Sequence, residues 1–404
     1  MSTETGSDKS SKQAGERIAP WVELRSVAYK TFIFKKMVGA TSPDAGQGDV
    51  VNVYDRRGNL FGNALFNPRS VLALRMLSFD RSPWSEPRWA HAVEKACRLR
   101  IERLNLKAQT DTFRLVHAEG DELSGLTVDL YDDVLSIVVY SAGIWARKES
   151  WLPALLAASG ARHFRMTFDA KAMALESINA EPESSDGIPS TITLQENGVR
   201  FAIDFDTGHK TGFFCDQRDN RMKLSHMTSG ADVLDLCCFS GGFGIYAKTL
   251  GNANEVRCID LDENAIKLAK RNANLNQARI DTVHADAFTY MRQMSTNGRT
   301  FGVVVLDPPK LIAGRKEFEA GLHKYRDMNR LAAGLVAPEG IMVTCSCSGA
   351  FGREDFQEMA LAAARHAGRT CQLLDMTGPG MDHPVHPLCP ESAYLKVAWL
   401  RMLD

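Results

Sequence analysis

The sequence predicts an α/β chain whose C-terminal half is a doubly wound, Rossmann-like sheet, preceded by a small β-barrel-like module and an α+β middle segment. Three observations carry this. Short apolar strands at 233–236, 256–259, 302–306 and 340–344 alternate with helical text such as 263–274. Between Trp21 and Arg81 the text is instead a series of short apolar runs broken by turn signals such as Arg57-Gly58-Asn59. At 404 residues the chain is also long enough for two or three domains, each with its own core.

Taken in order, residues 1–20 are polar, carry both charge signs and read as a disordered tail. The barrel-like module takes 21–84. A middle α+β domain takes 85–185, where the apolar positions of 89–96 recur at helix spacing, 126–140 reads as a hairpin, and 151–156 reads as a further helix. Residues 179–189 are rich in Glu, Ser, Asp and Pro, the composition of a linker. The doubly wound domain takes 186–404.

Composition narrows the function classes. With 44% hydrophobic and 24% charged residues, the chain is ordinary for a globular protein, and no stretch offers the ~20 apolar residues of a membrane helix. A soluble, cytoplasmic protein with no membrane partner is expected. The formal net charge of -1 gives no global pull toward polyanions, so a nucleic acid would have to be held by a local basic patch. Nine scattered cysteines, none in C-x₂-C spacing, argue against a disulfide framework and against a zinc site, so no metal is expected.

The motifs then point to a ligand. Asp235-Leu236-Cys237-Cys238-Phe239-Ser240-Gly241-Gly242 leads a strand into a glycine-rich turn and a helix. Glycine lets backbone pass close to a ligand, although a plain tight turn reads the same way. Asp260 ends the next strand about 20 residues on, where a carboxylate can accept both hydroxyls of a ribose. The turn lies in mid-chain and lacks the G-x-G-x-x-G pattern, which argues against a nicotinamide dehydrogenase. After the third strand, Asp286 and Ala287 are candidates for the adenine end, with Phe288 over the ring; an ordinary helix N-cap is the other reading of Asp286.

Asp307-Pro308-Pro309-Lys310 closes the fourth strand with a polar residue and two prolines, a rigid rim that can present a flat base beside a methyl donor. Proline pairs are also common turn punctuation. The following strand ends in Thr344-Cys345-Ser346-Cys347-Ser348-Gly349. Carbon 5 of a pyrimidine becomes nucleophilic once a thiolate adds at carbon 6, so a cysteine facing Asp307 would supply that chemistry. Alternatively, both cysteines are small buried hydrophobes.

These motifs together resemble the bacterial large-subunit rRNA cytosine-5 methyltransferase I family. The resemblance runs from about Asp49 to the C-terminus. It rests on residues 208–221 (Gly-His-Lys-Thr-Gly-Phe-Phe-Cys-Asp-Gln-Arg-Asp-Asn-Arg), the Ser240–Phe243 turn, Asp307–Lys310, Ser346–Gly349, and Asp382-His383-Pro384 followed by Pro390–Lys396. Residues 114–121, 125–129 and 66–70 match as well.

The resemblance implies an N-terminal PUA-like RNA-binding domain, a class I methyltransferase domain, S-adenosyl-L-methionine as methyl donor and large-subunit rRNA as partner. It implies that Cys347 is the covalent nucleophile, with Cys345 as a backup, and that Asp307 holds the cytosine edge. It further implies that the segment carrying Lys210, Thr211, Gly212 and Phe213 folds over the cofactor, with Gln217 and Arg218 reaching its methionine end. Lys310 stands where two-cysteine cytosine-5 enzymes carry their second cysteine. Lys310, Lys35 and Lys36 are the candidate phosphate contacts.

The chain departs from the family at 28–36, Ala-Tyr-Lys-Thr-Phe-Ile-Phe-Lys-Lys, where a basic His-Pro-Trp segment is usual. Two alternatives stay open: a methyltransferase acting on another RNA base, such as guanine N7, without a thiol, and a non-catalytic RNA-binding or ribosome-assembly protein. The sequence also leaves a homodimer open.

Overall fold

The structure is a computed structural model that describes residues 17–205 and 213–404. The expected tail lies outside the described residues up to residue 16; from there the chain runs into the first strand.

The N-terminal strands are β1 (Trp21–Leu24), β2 (Phe32–Phe34), β3 (Val38–Thr41), β4 (Val50–Tyr54), β5 (Leu60–Phe66) and β6 (Leu72–Ser78). They form one sheet in the order β2-β6-β5-β4-β1-β3. Apolar side chains on the inner face, among them Val22, Leu24, Ile33, Val51, Val53 and Leu74, make its core.

Helix α1 (Pro87–Arg98) leads into β7 (Thr112–His117), β8 (Leu126–Tyr131) and β9 (Val134–Val139). Then come α2 (Ala142–Trp145), α3 (Lys148–Ser159), β10 (His163–Phe168), α4 (Ala170–Glu176) and β11 (Glu183–Ser184). The five strands lie in the order β11-β10-β9-β8-β7, with the buried Trp89 of α1 and Trp151 of α3 packed against them. The sequence expects a linker at 179–189. Its middle instead adds β11 antiparallel to the edge of β10, because an open strand edge offers backbone partners to any adjacent chain. A hairpin of β12 (Thr191–Glu196) and β13 (Val199–Asp204) follows.

The C-terminal part begins with α5 (Arg218–Ser225), then alternates β14 (Val233–Leu236), α6 (Gly242–Thr249), β15 (Val256–Asp260), α7 (Glu263–Leu275), β16 (Asp281–His284) and α8 (Ala287–Thr296). It continues with β17 (Phe301–Leu306), α9 (Phe318–Gly334), β18 (Val336–Ser346), α10 (Arg353–His366), β19 (Cys371–Thr377) and β20 (Lys396–Met402). The seven strands take the order β16-β15-β14-β17-β18-β20-β19. All pairings are parallel except those of β20, which runs antiparallel to both β18 and β19.

This is the Rossmann-like sheet. Alternate residues of each strand feed two cores: Leu234, Val304 and Met342 pack under α8, α9 and α10, while Val233, Val303 and Val343 pack under α6 and α7. The strand order reverses between β14 and β17, so a crevice opens at their C-terminal ends.

Candidate active site

Three carboxylates converge on that crevice, each at or just past a strand end. Asp235 sits within β14 and is fully buried. Its Oδ2 accepts the N–H of Gly244 at 2.9 Å, and its Oδ1 has no partner. Burial pushes its pKa up to about 7 against the opposing Gly244 bond, and Asp307 and Asp260 add repulsion.

Asp260 closes β15 and clamps the turn. Its Oδ2 accepts the N–H of Phe239 and its Oδ1 that of Asp262, both at 2.9 Å. Within the clamped turn Cys237 and Phe239 hold positive φ of 60° and 48°, a conformation that costs non-glycine residues about 1–3 kcal/mol and is held only where neighbours over-determine it. Gly241, at φ 76°, takes the left-handed step that leads into α6. Ser240 is buried, with its carbonyl accepting from Asn272 Nδ2 at 3.1 Å, and Gly242 starts the helix. A Cβ on Gly244 would lie 2.4 Å from Cys258 Sγ, so the glycine lets α6 lie close on β15.

Asp307 follows β17. Its Oδ2 accepts from Gln217 Nε2 at 3.0 Å. Burial and then the nearby Asp216 push its pKa up to about 7, opposed by Gln217 and Arg221. Gln217 is itself buried, and its Oε1 accepts from Asn220 at 2.7 Å.

Asp286 caps α8: its Oδ1 accepts both the N–H and the hydroxyl of Thr289 at 2.9 Å. Ala287 is buried beside it, and Phe288 is partly buried with Arg292 at 5.9 Å from its ring centre. The capping bonds both use one carboxylate oxygen, Oδ1.

The two cysteines at the end of β18 differ sharply. Leu306 pairs with Thr344 in register, so Cys345 and Cys347 come next to the Asp307 rim. Cys345 is fully buried; burial and then Asp307 push its thiol well above the usual range. Cys347 is half-buried.

The strap before α5 spreads its residues widely. Lys210, Thr211 and Gly212 lie outside the described residues. Phe213 turns its ring into the core, 5.0 Å from that of Phe201, and its carbonyl accepts from the buried Tyr131 hydroxyl at 3.3 Å. The Arg218 guanidinium is buried against Asp382, 2.9 and 3.1 Å away, and against Asp219. Lys310 is exposed on the rim; Lys35 is exposed with its Nζ on the Pro68 carbonyl at 2.8 Å, and Lys36 is exposed beside it. The N-terminal and crevice lysines thus lie on separate sheets.

Sequence reading missed several groups here. Asp216 accepts from the Tyr394 hydroxyl at 2.6 Å, and Lys396 is buried next to the Cys347 loop. Both positions stand in quoted motifs, but a lysine opening an apolar strand is the only local signal that sets Lys396 apart.

The crevice suits a cationic ligand with a ribose. Asp235, Asp260, Asp286 and Asp307 all raise the pKa of the Cys237 thiol, after burial, so they gather their negative charge around one point. Such a field is costly when empty and favours a sulfonium or ammonium group.

Comparison with known proteins agrees with this geometry. Residues 148–379 match the family described as S-adenosylmethionine-dependent methyltransferase, and residues 29–79 match a PUA-like domain. The chain is 34% identical over 375 residues to ribosomal RNA large subunit methyltransferase I of Aeromonas salmonicida, covering 90% of this chain and 93% of the relative. It is 32% identical over 398 residues to the protein of that name from Vibrio cholerae, covering 97% and 96%. Its fold is similar to that of a SAM-dependent methyltransferase from Streptococcus mutans, with a TM-score of 0.76 at 17% identity over 92% of this chain and 95% of that one. A methyltransferase solved in complex with SAH gives a TM-score of 0.78 at 18% identity with the same coverage. Among the described residues no helix is long and apolar enough to cross a membrane, and no group of three ligating side chains could hold a metal ion. The chain belongs to the S-adenosylmethionine-dependent methyltransferases and, within them, to the ribosomal RNA large subunit methyltransferase I family.

Proposed function

We propose that the protein methylates carbon 5 of a cytosine in large-subunit ribosomal RNA, with Cys347 as the covalent nucleophile. The observation that carries the reading is the contrast between the half-buried Cys347 and the fully buried Cys345 beside the Asp307 rim. A nucleophile must reach carbon 6 of the base, and a thiolate is costly where no water or cation meets it. That supports Cys347 and leaves Cys345 as packing. The name carried by the Aeromonas and Vibrio relatives supports the RNA class.

In this reading Asp260 accepts the ribose hydroxyls with the lone pairs its backbone bonds leave free. Ser240, Gly241 and Gly242 line the cofactor's path, Asp286 and Ala287 meet the adenine, and Asp235 contributes charge from below. Gln217 orients Asp307, and Phe213, with Lys210, Thr211 and Gly212 from the resemblance, is assigned to the cofactor. Arg218 acts through Asp382, holding the strap in place. S-adenosyl-L-methionine supplies an electrophilic methyl group. Asp307 holds or protonates the cytosine edge, which favours addition of the Cys347 thiolate at carbon 6. Carbon 5 then carries the electron pair that forms the new carbon–carbon bond; a base takes the carbon-5 proton, and the carbon–sulfur bond breaks to return the thiolate.

We assign RNA docking to the sheet of 21–84, the middle domain to 85–185 and catalysis to 186–404. Lys35 and Lys36 would meet phosphates on the first, Lys310 on the last. We place the protein in the cytoplasm as a partner of large-subunit rRNA.

The test is incubation with labelled S-adenosyl-L-methionine and large-subunit rRNA lacking the modification, followed by nucleoside analysis. Label in 5-methylcytidine is expected. Label in another nucleoside would discard the thiol chemistry, and no label in RNA would overturn the activity.

A further inference from the structure

We infer that Lys396 is a positioning residue for Cys347, its buried ammonium holding the cysteine as a thiolate; the inference rests on the reading of Cys347 as nucleophile. Lys396 opens β20 and pairs antiparallel with Ser346, one residue before Cys347. Among the described residues it is the one buried lysine, at 3% exposure. Lysine is rarely buried without a partner for its charge, and neutral carbonyls alone serve that purpose poorly.

The ammonium has three donors. Two go to carbonyls, that of Ser348 at 2.6 Å and that of Tyr394 at 2.8 Å. The first acceptor follows Cys347 in its own loop and one donor is left over, while the Cys347 thiol is close enough to act on the ammonium's charge. The loop itself is braced: Ser346 Oγ donates to the Tyr325 hydroxyl at 3.0 Å, Tyr325 and Ser348 hydroxyls meet at 3.1 Å, and the Ser348 N–H reaches Ser346 Oγ at 3.3 Å. Cys347 therefore sits between two serines fixed by the same tyrosine of α9.

Among the described residues, the titratable groups whose charge Cys347 perturbs include Lys396 from β20, Tyr325 from α9 and Cys345 from its own strand. Of these only Lys396 is a cation, with exposed Lys310 as its neighbour. Burial, opposed by Cys347 and joined by a smaller effect of Lys310, brings Lys396 down to about 8. The reciprocal effect is that the ammonium favours the thiolate. The thiol proton leaves to solvent before the base arrives, and the thiolate is restored without a proton when the product is released.

The experiment is the rate of iodoacetamide alkylation of Cys347, read peptide by peptide by mass spectrometry between pH 5.5 and 10, on the full chain without RNA. In the wild type the rate is expected to rise with a midpoint below pH 8, under the ~8.5 of an ordinary thiol. Lys396→Met should raise the midpoint by about one unit or more and slow alkylation at pH 7 by about tenfold, while Lys396→Arg restores much of the shift. An unchanged midpoint in a Lys396→Met protein with wild-type cofactor affinity overturns the inference. Should that variant not fold, a wild-type midpoint at or above 8.5 overturns it equally. Methylation that persists in Cys347→Ser would remove the nucleophile itself, a failure of the parent reading that the alkylation profile distinguishes from a failure of the lysine's role.

Discussion

Asp382 grips Arg218 with both carboxylate oxygens, at 2.9 and 3.1 Å, and its Oδ2 also accepts the backbone N–H of Arg114 at 2.9 Å. One buried carboxylate thus joins the strap of the C-terminal sheet to β7 of the middle sheet. Its own carbonyl accepts from Arg100, which is paired in turn with Asp121. Burial would raise the Asp382 pKa, but His383 and Arg218 more than offset it and hold the carboxyl far below the usual range.

Asp382→Asn should therefore cost about 3–5 kcal/mol near neutrality, because it leaves the Arg218 charge buried with only Asp219 beside it. Urea unfolding at several pH values measures this. A depressed carboxyl contributes stability that is fully present above its unfolded pKa, near 4, and is lost as pH falls toward the folded value. The gap between wild type and variant should hold constant above pH 5 and narrow below pH 4. A pH-independent gap would mean that packing, not charge, carries the effect.

How far the sequence announced this architecture depends on range. Parallel strands buried on both faces, such as 303–306, read as continuous apolar runs, and the turn from Asp235 to Gly242 is a local signal. The grip of Asp382 on Arg218 spans 164 residues, and no period or propensity connects them. The same holds for Lys396: its place at the head of an apolar strand sets it apart, but only the β18–β20 pairing brings it beside Ser346. Cys345 and Cys347 were indistinguishable by residue type, and it took the depth of β18 to separate them.

That separation predicts opposite phenotypes. Cys347→Ser should lower methyl transfer to RNA by at least about a thousandfold, since an alcohol is far harder to ionise than a thiol, while cofactor affinity stays within about twofold. Cys345→Ala should retain turnover and lose about 1–2 kcal/mol of stability from the space left against Asp307 and Gln217. Single-turnover assays alongside calorimetric titration check both. Turnover lost in Cys345→Ala but kept in Cys347→Ser would reverse the assignment.

The carboxylates of the crevice give a pH dependence of their own. Asp235 and Asp307 are both pushed up to about 7, by burial first. Their folded pKa values lie above the unfolded ones, so their contribution to stability is fully present below about pH 4 and is lost as pH rises through 7. A cation in the crevice favours the ionised forms. Affinity for S-adenosyl-L-methionine should then rise by about tenfold between pH 6 and 8 for each ionisation that binding requires, with protons released on binding. Titration calorimetry in buffers of different ionisation enthalpy reads the proton count. Asp307→Asn should flatten the profile, and a profile that stays steep with both Asp235→Asn and Asp307→Asn would place the titrating group elsewhere.

Gly244 and Gly334 are both helical glycines without positive φ, and they should respond in opposite directions to alanine. Alanine favours a helix interior over glycine by about 1 kcal/mol, and by less at Gly334, the last residue of α9. At Gly334 nothing lies within 4 Å of the added methyl group, so Gly334→Ala should stabilise by about 0.4–1 kcal/mol. At Gly244 the methyl would stand 2.4 Å from Cys258 Sγ and 3.0 Å from Val256 Cγ1, both on β15 and both buried. A strand in mid-sheet cannot retreat, so α6 must lift, and overpacking of this kind costs about 1–3 kcal/mol, more than the helix gains. Lifting α6 also stretches the Gly244 N–H from Asp235 Oδ2, leaving that buried carboxylate with only the weak Cys258 thiol donor at 3.9 Å. Gly244→Ala should therefore weaken S-adenosyl-L-methionine binding as well as lower the melting temperature, whereas Gly334→Ala leaves binding unchanged. Weakened binding at Gly244 without loss of stability would show that the glycine serves the ligand directly rather than through the seat of α6.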